Sequence, residues 1–139
     1  MNAEPFVIER TYNASPERVW RAISDRDEMS KWYFNLEEFK PEVGFEFRFW
    51  GGSEEQQYLH ICEVTEALPN KKLTYSWRYE GYSGVSYVSF ELFPEGSKTR
   101  LKLTHTGLET FPKQKDFARE SFSAGWTYII GESLAKYLA

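Results

Sequence analysis

Two histidines and one cysteine are the only imidazole and thiol groups in this chain of 139 residues. His105 closes the alternating run Leu101, Leu103, His105, which places it on the face those leucines bury. An imidazole titrating near neutrality there suits acid–base work or a hydrogen bond to the polar end of a ligand. Beside Gly107 at a strand end, it equally suits the satisfaction of a backbone carbonyl. His60 and Cys62 stand two apart on one strand face, a spacing that suggests a nucleophile pair or metal ligands. Their Cα atoms would lie about 7 Å apart. The sequence supplies no evident third ligand, and structural zinc sites usually use more than one cysteine, so neither a metal nor a cofactor is expected. The sequence also lacks a nucleophile elbow, a phosphate loop and a zinc-protease helix motif. Glu37–Glu38 and Glu54–Glu55 are adjacent pairs whose members point to opposite faces of a strand, which fits solvated charge better than a catalytic dyad.

The aromatic residues form the richer constellation. With 11 Phe, 9 Tyr and 5 Trp, the chain is rich in rings for its size. Tyr75, Trp77 and Tyr79 share one strand face, and Phe47, Phe90 and Trp126 are positioned to converge on them. Such rings either line a cavity with apolar walls and hydroxyl tips, or fill the space and leave none.

The element that would cover them is the amphipathic run Asp116 to Leu138. Phe122, Trp126, Ile129, Ile130, Leu134, Tyr137 and Leu138 recur at steps of three and four and predict a helix with one buried stripe. About twenty-two residues at the helical rise reach roughly 33 Å, enough to cross a whole sheet. Ser121, Gly125 and Ser133 interrupt the stripe. A glycine inside a helix costs about 1 kcal/mol against alanine, so Gly125 and Gly131 need a packing reason: close approach to a strand, or empty volume beside Trp126.

The rest of the chain reads as the sheet that holds this helix. Phe6 to Tyr12 alternates as a strand, and Ser15-Pro16-Glu17 then supplies an N-cap oxygen, a first-turn proline and a first-turn acid. Val19, Trp20 and Ile23 give the apolar side of a short helix, and Asp27 to Lys31 a second one anchored by Met29 and Trp32. From Leu36 to Gly107 the period changes to two. Strands are predicted at Leu36–Phe39, around Phe45, Phe47 and Phe49, around Tyr58 to Val64, at Leu73–Tyr79, at Val88–Leu92 and at Leu101–His105. Gly51-Gly52-Ser53 reads as a turn, as do Pro69-Asn70 and Pro94 to Ser97. Short turns and one polar face predict an antiparallel sheet of six or seven strands, curved around the long C-terminal helix, in one α+β domain spanning residues 1–139.

A net charge of -4 and the lack of any basic block argue against nucleic acid and anionic membranes as partners. No apolar run reaches the length of a membrane span or signal-peptide core, and a lone Cys62 fits a reducing compartment, so a cytoplasmic protein is expected.

The ordered set Ser15, Pro16, Val19, Trp20; Trp32; Pro69 to Trp77; Thr99, Leu101, Leu103, Thr104, His105, Gly107; and Gly125, Trp126 resembles the SRPBCC or START-like superfamily. Within it, the chain is similar to the single-domain activator-of-heat-shock-ATPase-like proteins, over about Phe6 to Leu138. Val43 stands where the family commonly has the first of two glycines, before Gly44. The resemblance implies a helix-grip fold around a mostly apolar cavity that takes lipids, sterols, polyketides or plant hormones. It also implies a link to the ninety-kilodalton heat-shock chaperone, although the chain resembles only the C-terminal domain of that eukaryotic stimulator.

Three readings follow, in this order. The first is binding of a small hydrophobic molecule by cavity residues Phe47, Tyr75, Trp77, Tyr79, Phe90, His105, Ser121, Phe122, Gly125, Trp126 and Ile129, with His105, Tyr79 and Ser121 as polar contacts. The second is interaction with a chaperone or another protein through the outer sheet face, where Glu46, Arg48, Lys72, Arg78, Arg100 and Lys102 would be exposed. The third is a cyclase or dehydratase using His105 and a tyrosine.

Overall fold

The computed structural model describes residues 5–34, 36–52 and 55–139. The N-terminal tetrapeptide, Ser53 of the expected turn and Glu54 of the expected acidic pair lie outside the described residues; Gly51 and Gly52 end a strand.

Strand β1 (Phe6–Tyr12) is followed by helices α1 (Pro16–Ser24) and α2 (Arg26–Trp32), and then by β2 (Glu46–Gly52), β3 (Gln57–Leu68), β4 (Lys72–Tyr79), β5 (Ser86–Glu95) and β6 (Lys98–Thr106). The sheet order is β1-β6-β5-β4-β3-β2 with every neighbour antiparallel. β2 to β6 therefore form a meander, and the two short helices carry the chain from the β1 edge to the β2 edge. The cap on α1 is the one the sequence predicts; α2 starts at Arg26 rather than Asp27, with Asp25 as its cap. Ser15 Oγ accepts from the Arg18 amide at 3.2 Å ahead of Pro16, and Asp25 accepts from the Glu28 amide at 3.1 Å. Trp32 then donates its indole N–H to the Ala22 carbonyl at 2.8 Å, which fixes α2 against α1.

No strand forms at Leu36–Phe39. Leu36 and Phe39 are both buried, but the chain bends between them, and Arg26 Nε donates to the Leu36 carbonyl at 2.7 Å. The backbone is thus committed to a connection rather than to a ladder. The sheet has six strands.

The alternation in β3 is settled by burial: Tyr58, His60, Cys62 and Val64 face inward. Ile61 is also buried although its parity is outward, because it sits between Arg48 of β2 and Arg78 of β4, whose aliphatic stems can cover it. The register slips between Val64 and Glu66, a bulge that bends the sheet.

The terminal helix starts at Arg119, not at Asp116. Lys115–Phe117 is a separate 3-10 turn, and Ala118 in extended conformation separates the two. α3 (Arg119–Tyr128) then passes through a π turn (Ile129–Ser133) into α4 (Leu134–Leu138). The buried side chains Phe122, Trp126, Ile130 and Leu134 are spaced by four. At 3.6 residues per turn, such a stripe drifts by about 40° per step. The wider π turn counters that drift, and Ile130 and Leu134 stay fully buried against the sheet. Tyr12 of β1 donates its hydroxyl to the Ile130 carbonyl at 2.5 Å, tying the first strand to this turn. Among the described residues, no helix is long and apolar enough to cross a membrane.

Candidate functional site: an aromatic cavity beneath the last helix

A cavity of about 310 Å³ lies between the inner sheet face and α3. That is the small end of the roughly 300–1,000 Å³ occupied by small-molecule sites. Tyr58 and His60 of β3 and Trp77 and Tyr79 of β4 form its floor. Ser121, Phe122, Gly125 and Trp126 of α3, with Ile129, form its roof. Phe34, Gly51, Gly52, Asp116 and Phe117 surround the mouth. Because His60 and Tyr79 are directly opposed across the β3–β4 ladder, their rings meet edge to face at 4.7 Å.

Gly125 is exposed and leaves the roof open. A Cβ built there would meet nothing within 4 Å. Gly131 differs, since Arg10 of β1 reaches over it and a Cβ would touch that guanidinium at 3.5 Å. Of the two reasons anticipated for the helical glycines, empty volume describes Gly125 and the approach of a strand residue describes Gly131. At the other rim Gly51 is confined: a Cβ would press on His60 at 3.0 Å and on Phe34 at 3.2 Å.

Trp77, Tyr79, Ser121, Phe122, Gly125, Trp126 and Ile129 are brought together around one space. Phe47, Tyr75, Phe90 and His105 are buried beside it and are not among its lining residues. Phe47 packs edge-on against Tyr75, and Tyr75 shares a 2.7 Å hydrogen bond with the Tyr33 hydroxyl. Phe90 lies edge-on to Trp126, one layer below the cavity.

His105 has a defined tautomer. The Trp126 indole N–H donates to its Nδ1 at 3.0 Å, so the ring proton is on Nε2, which lies 2.7 Å from Ser86 Oγ and donates to it. Ser86 in turn donates to the Trp77 carbonyl at 2.9 Å. The chain Trp126–His105–Ser86–Trp77 fastens α3 to three strands and uses both imidazole nitrogens. Burial pushes the imidazole pKa down to about 3.

His60, weighed from the sequence only as a partner of Cys62, lines the cavity. His60 Nδ1 lies 3.0 Å from the Tyr58 carbonyl, which can only accept, so the proton is on Nδ1. Nε2 is then a lone-pair acceptor. Burial lowers this pKa to about 4, against the smaller upward pull of the Tyr58 and Phe49 carbonyls. The ring stacks on Phe49 at 4.5 Å and 17°. The available signal was parity: His60 shares its face with Tyr58 and Val64 and pairs with Tyr79.

Tyr79 accepts a hydrogen bond from Trp77 Nε1 at 2.9 Å, and burial holds its phenol well above the usual range, so it stays protonated. Tyr58 donates to Asp116 Oδ2 at 2.6 Å; burial, followed by the carboxylate, raises this phenol to about 12. Cys62 is buried away from the cavity, and burial pushes its thiol up as well. No group of three His, Cys, Asp or Glu able to hold a metal occurs among the described residues.

A curved antiparallel sheet that grips a C-terminal helix over an aromatic cavity is the α+β helix-grip arrangement of SRPBCC or START-like domains. Within that class, the sequence pattern of the family described as "Activator of Hsp90 ATPase homolog 1-like protein" matches residues 13–139, and the chain belongs to this family. Mll3558 from Rhizobium loti superposes with a TM-score of 0.84 at 24% identity, covering 97% of this chain and 96% of that one. MLL2253 from Mesorhizobium loti gives 0.78 at 28% identity, with the same coverage of 97% and 96%. DynU16, from the dynemicin biosynthetic locus, gives 0.79 at 21% identity; it covers 99% of this chain, which spans only 48% of DynU16. No curated protein matches the sequence significantly.

Proposed function

We propose that this protein binds a small hydrophobic or aromatic molecule in the cavity between its sheet and α3. The open space beside Gly125, lined by Trp77, Tyr79, Phe122 and Trp126, carries the reading: it sets aromatic rings around a concavity large enough for a small molecule. Membership of a helix-grip family supports it. The test is an amide NMR titration against fatty acids, sterols, flavonoids and aromatic acids. Saturable shifts clustered on Trp77, Tyr79 and the Ser121–Ser133 segment are expected. A response confined to surface loops, or none, would overturn the reading.

A second reading rests on one observation. Trp50 is 62% exposed on the outer face of β2, two residues along from Arg48, whose row continues through Ile61 and Arg78. An exposed indole among arginines has the composition of a protein-binding hot spot, and the family's name points to a chaperone of the Hsp90 type. Stimulation of a purified Hsp90 ATPase that is lost in Trp50→Ala is expected on this reading; no complex and no stimulation at excess protein would remove it.

A further inference from the structure

The ligand proposed above can be narrowed by the polar atoms that face it, an inference that rests on the cavity being a binding site. Among the described residues the His60 ring is held by the Tyr58 carbonyl, 3.0 Å from Nδ1, with the Phe49 carbonyl also pulling on the ring; Nε2 has no partner within 3.5 Å. No buried side-chain nitrogen or oxygen among the described residues lacks a partner, so Nε2 is accessible, and the cavity is the space that His60 lines. The Tyr79 hydroxyl accepts from Trp77 and has no acceptor of its own within the described protein, which leaves its proton to donate. The two residues are neighbours across the ladder with rings 4.7 Å apart. The residues that line the cavity therefore include one acceptor, His60, and one donor, Tyr79, from adjacent strands.

The cavity holds no countercharge for an anion. Among the described lining residues there is no lysine or arginine, and the one charged side chain is the Asp116 carboxylate at the mouth. A carboxylate or phosphate entering here would meet the lone pair of a neutral imidazole and a like charge, with only Tyr79 to stabilise it. A ketone or ether could accept from Tyr79 but would leave His60 Nε2 desolvated and unpaired. A single hydroxyl satisfies both groups: its hydrogen donates to His60 Nε2, and its oxygen accepts from Tyr79.

We infer that the cavity selects uncharged aromatic molecules bearing a hydroxyl group, read by His60 as acceptor and Tyr79 as donor, and that it discriminates against carboxylates. Four bicyclic probes on the unaltered protein test this by calorimetry and amide NMR at neutral pH: naphthalene, 2-naphthol, 2-methoxynaphthalene and 2-naphthoate. 2-Naphthol should bind about tenfold more tightly than naphthalene and 2-methoxynaphthalene, the gain expected for paired rather than stranded hydrogen-bonding groups in a buried site. 2-Naphthoate should bind more weakly than naphthalene. In Tyr79→Phe, with an unchanged amide spectrum outside the cavity as the folding control, 2-naphthol should fall toward naphthalene while naphthalene is unaffected. Equal binding of the three neutral probes, or a preference for 2-naphthoate, overturns the inference but leaves the cavity a binding site. Failure of all four overturns both.

Discussion

Replacing Gly125 separates what the cavity costs the fold from what it gives to binding. Gly125 lies inside α3 with ordinary helical backbone, and an added Cβ meets no atom within 4 Å. Gly125→Ala should therefore gain the helix-propensity difference of about 1 kcal/mol without an overpacking penalty, partly by restricting the unfolded chain. For a chain of this length, that raises the unfolding midpoint by about 4 °C. Gly125→Leu places a larger side chain at the roof of the 310 Å³ space. Its stability should stay at or above the parent's, because the added methylenes fill volume that is already present. Its affinity for any cavity ligand should fall by at least about tenfold, since a ligand must now compete with a covalently attached occupant. Thermal and urea unfolding measure the first effect, and the amide titration measures the second. Gly131→Leu, on the same helix but beside Arg10 rather than the cavity, is the control that should leave binding intact. A Gly125→Ala variant destabilised by 1 kcal/mol or more, or a Gly125→Leu variant that binds as well as the parent, would refute the assignment of this space as the site.

Acid should destabilise the fold through the two buried histidines. Both have native pKa values below the ordinary 6.5, about 4 for His60 and about 3 for His105, so the unfolded chain binds more protons between those limits. The stabilisation is fully present above pH 6.5 and is lost as pH falls, at about 1.4 kcal/mol per pH unit for each histidine once well below 6.5. Urea midpoints from pH 7 to 4.5 should trace this slope, and His105→Phe, if it folds, should lose half of it; a flat profile would contradict the buried neutral rings. Ser86→Ala removes the link between the His105 N–H and the Trp77 carbonyl and should cost about 2 kcal/mol in chemical unfolding, with changed indole fluorescence from Trp126. Ser15→Ala removes the α1 cap and should cost about 1 kcal/mol with no effect on ligand titrations.

The architecture was legible because its signals are local and redundant. Alternation in Leu73 to Tyr79 and Leu101 to His105, the cap at Ser15 and the long apolar stripe each state their own element. The misread segments are those where tertiary contacts override local pattern. Leu36–Phe39 has the spacing of a strand, but its backbone is captured by Arg26. The helix start at Arg119 follows an extended Ala118 that no cap residue announces, and the π turn is visible in sequence only as the unbroken four-residue spacing of Phe122, Trp126, Ile130 and Leu134.

The division of labour between the two histidines was not legible, for a physical reason. Both lie on inward faces of strands, and the sequence marks His105 more clearly because two leucines precede it. What separates them is whether a partner reaches the second ring nitrogen, and that depends on residues far apart in the chain. Trp126 is 21 positions from His105 and Ser86 is 19, and together they consume its imidazole in holding helix to sheet. Among the described residues His60 is held by backbone carbonyls, Tyr58 on its own strand and Phe49 opposite it on β2, and the nearby Gly51 has no side chain to offer. One histidine therefore becomes a fastener, and the other keeps a nitrogen for the cavity. The same logic governs the helix, where Trp126 is held by His105 while Gly125, its neighbour in sequence, leaves the space those contacts keep open.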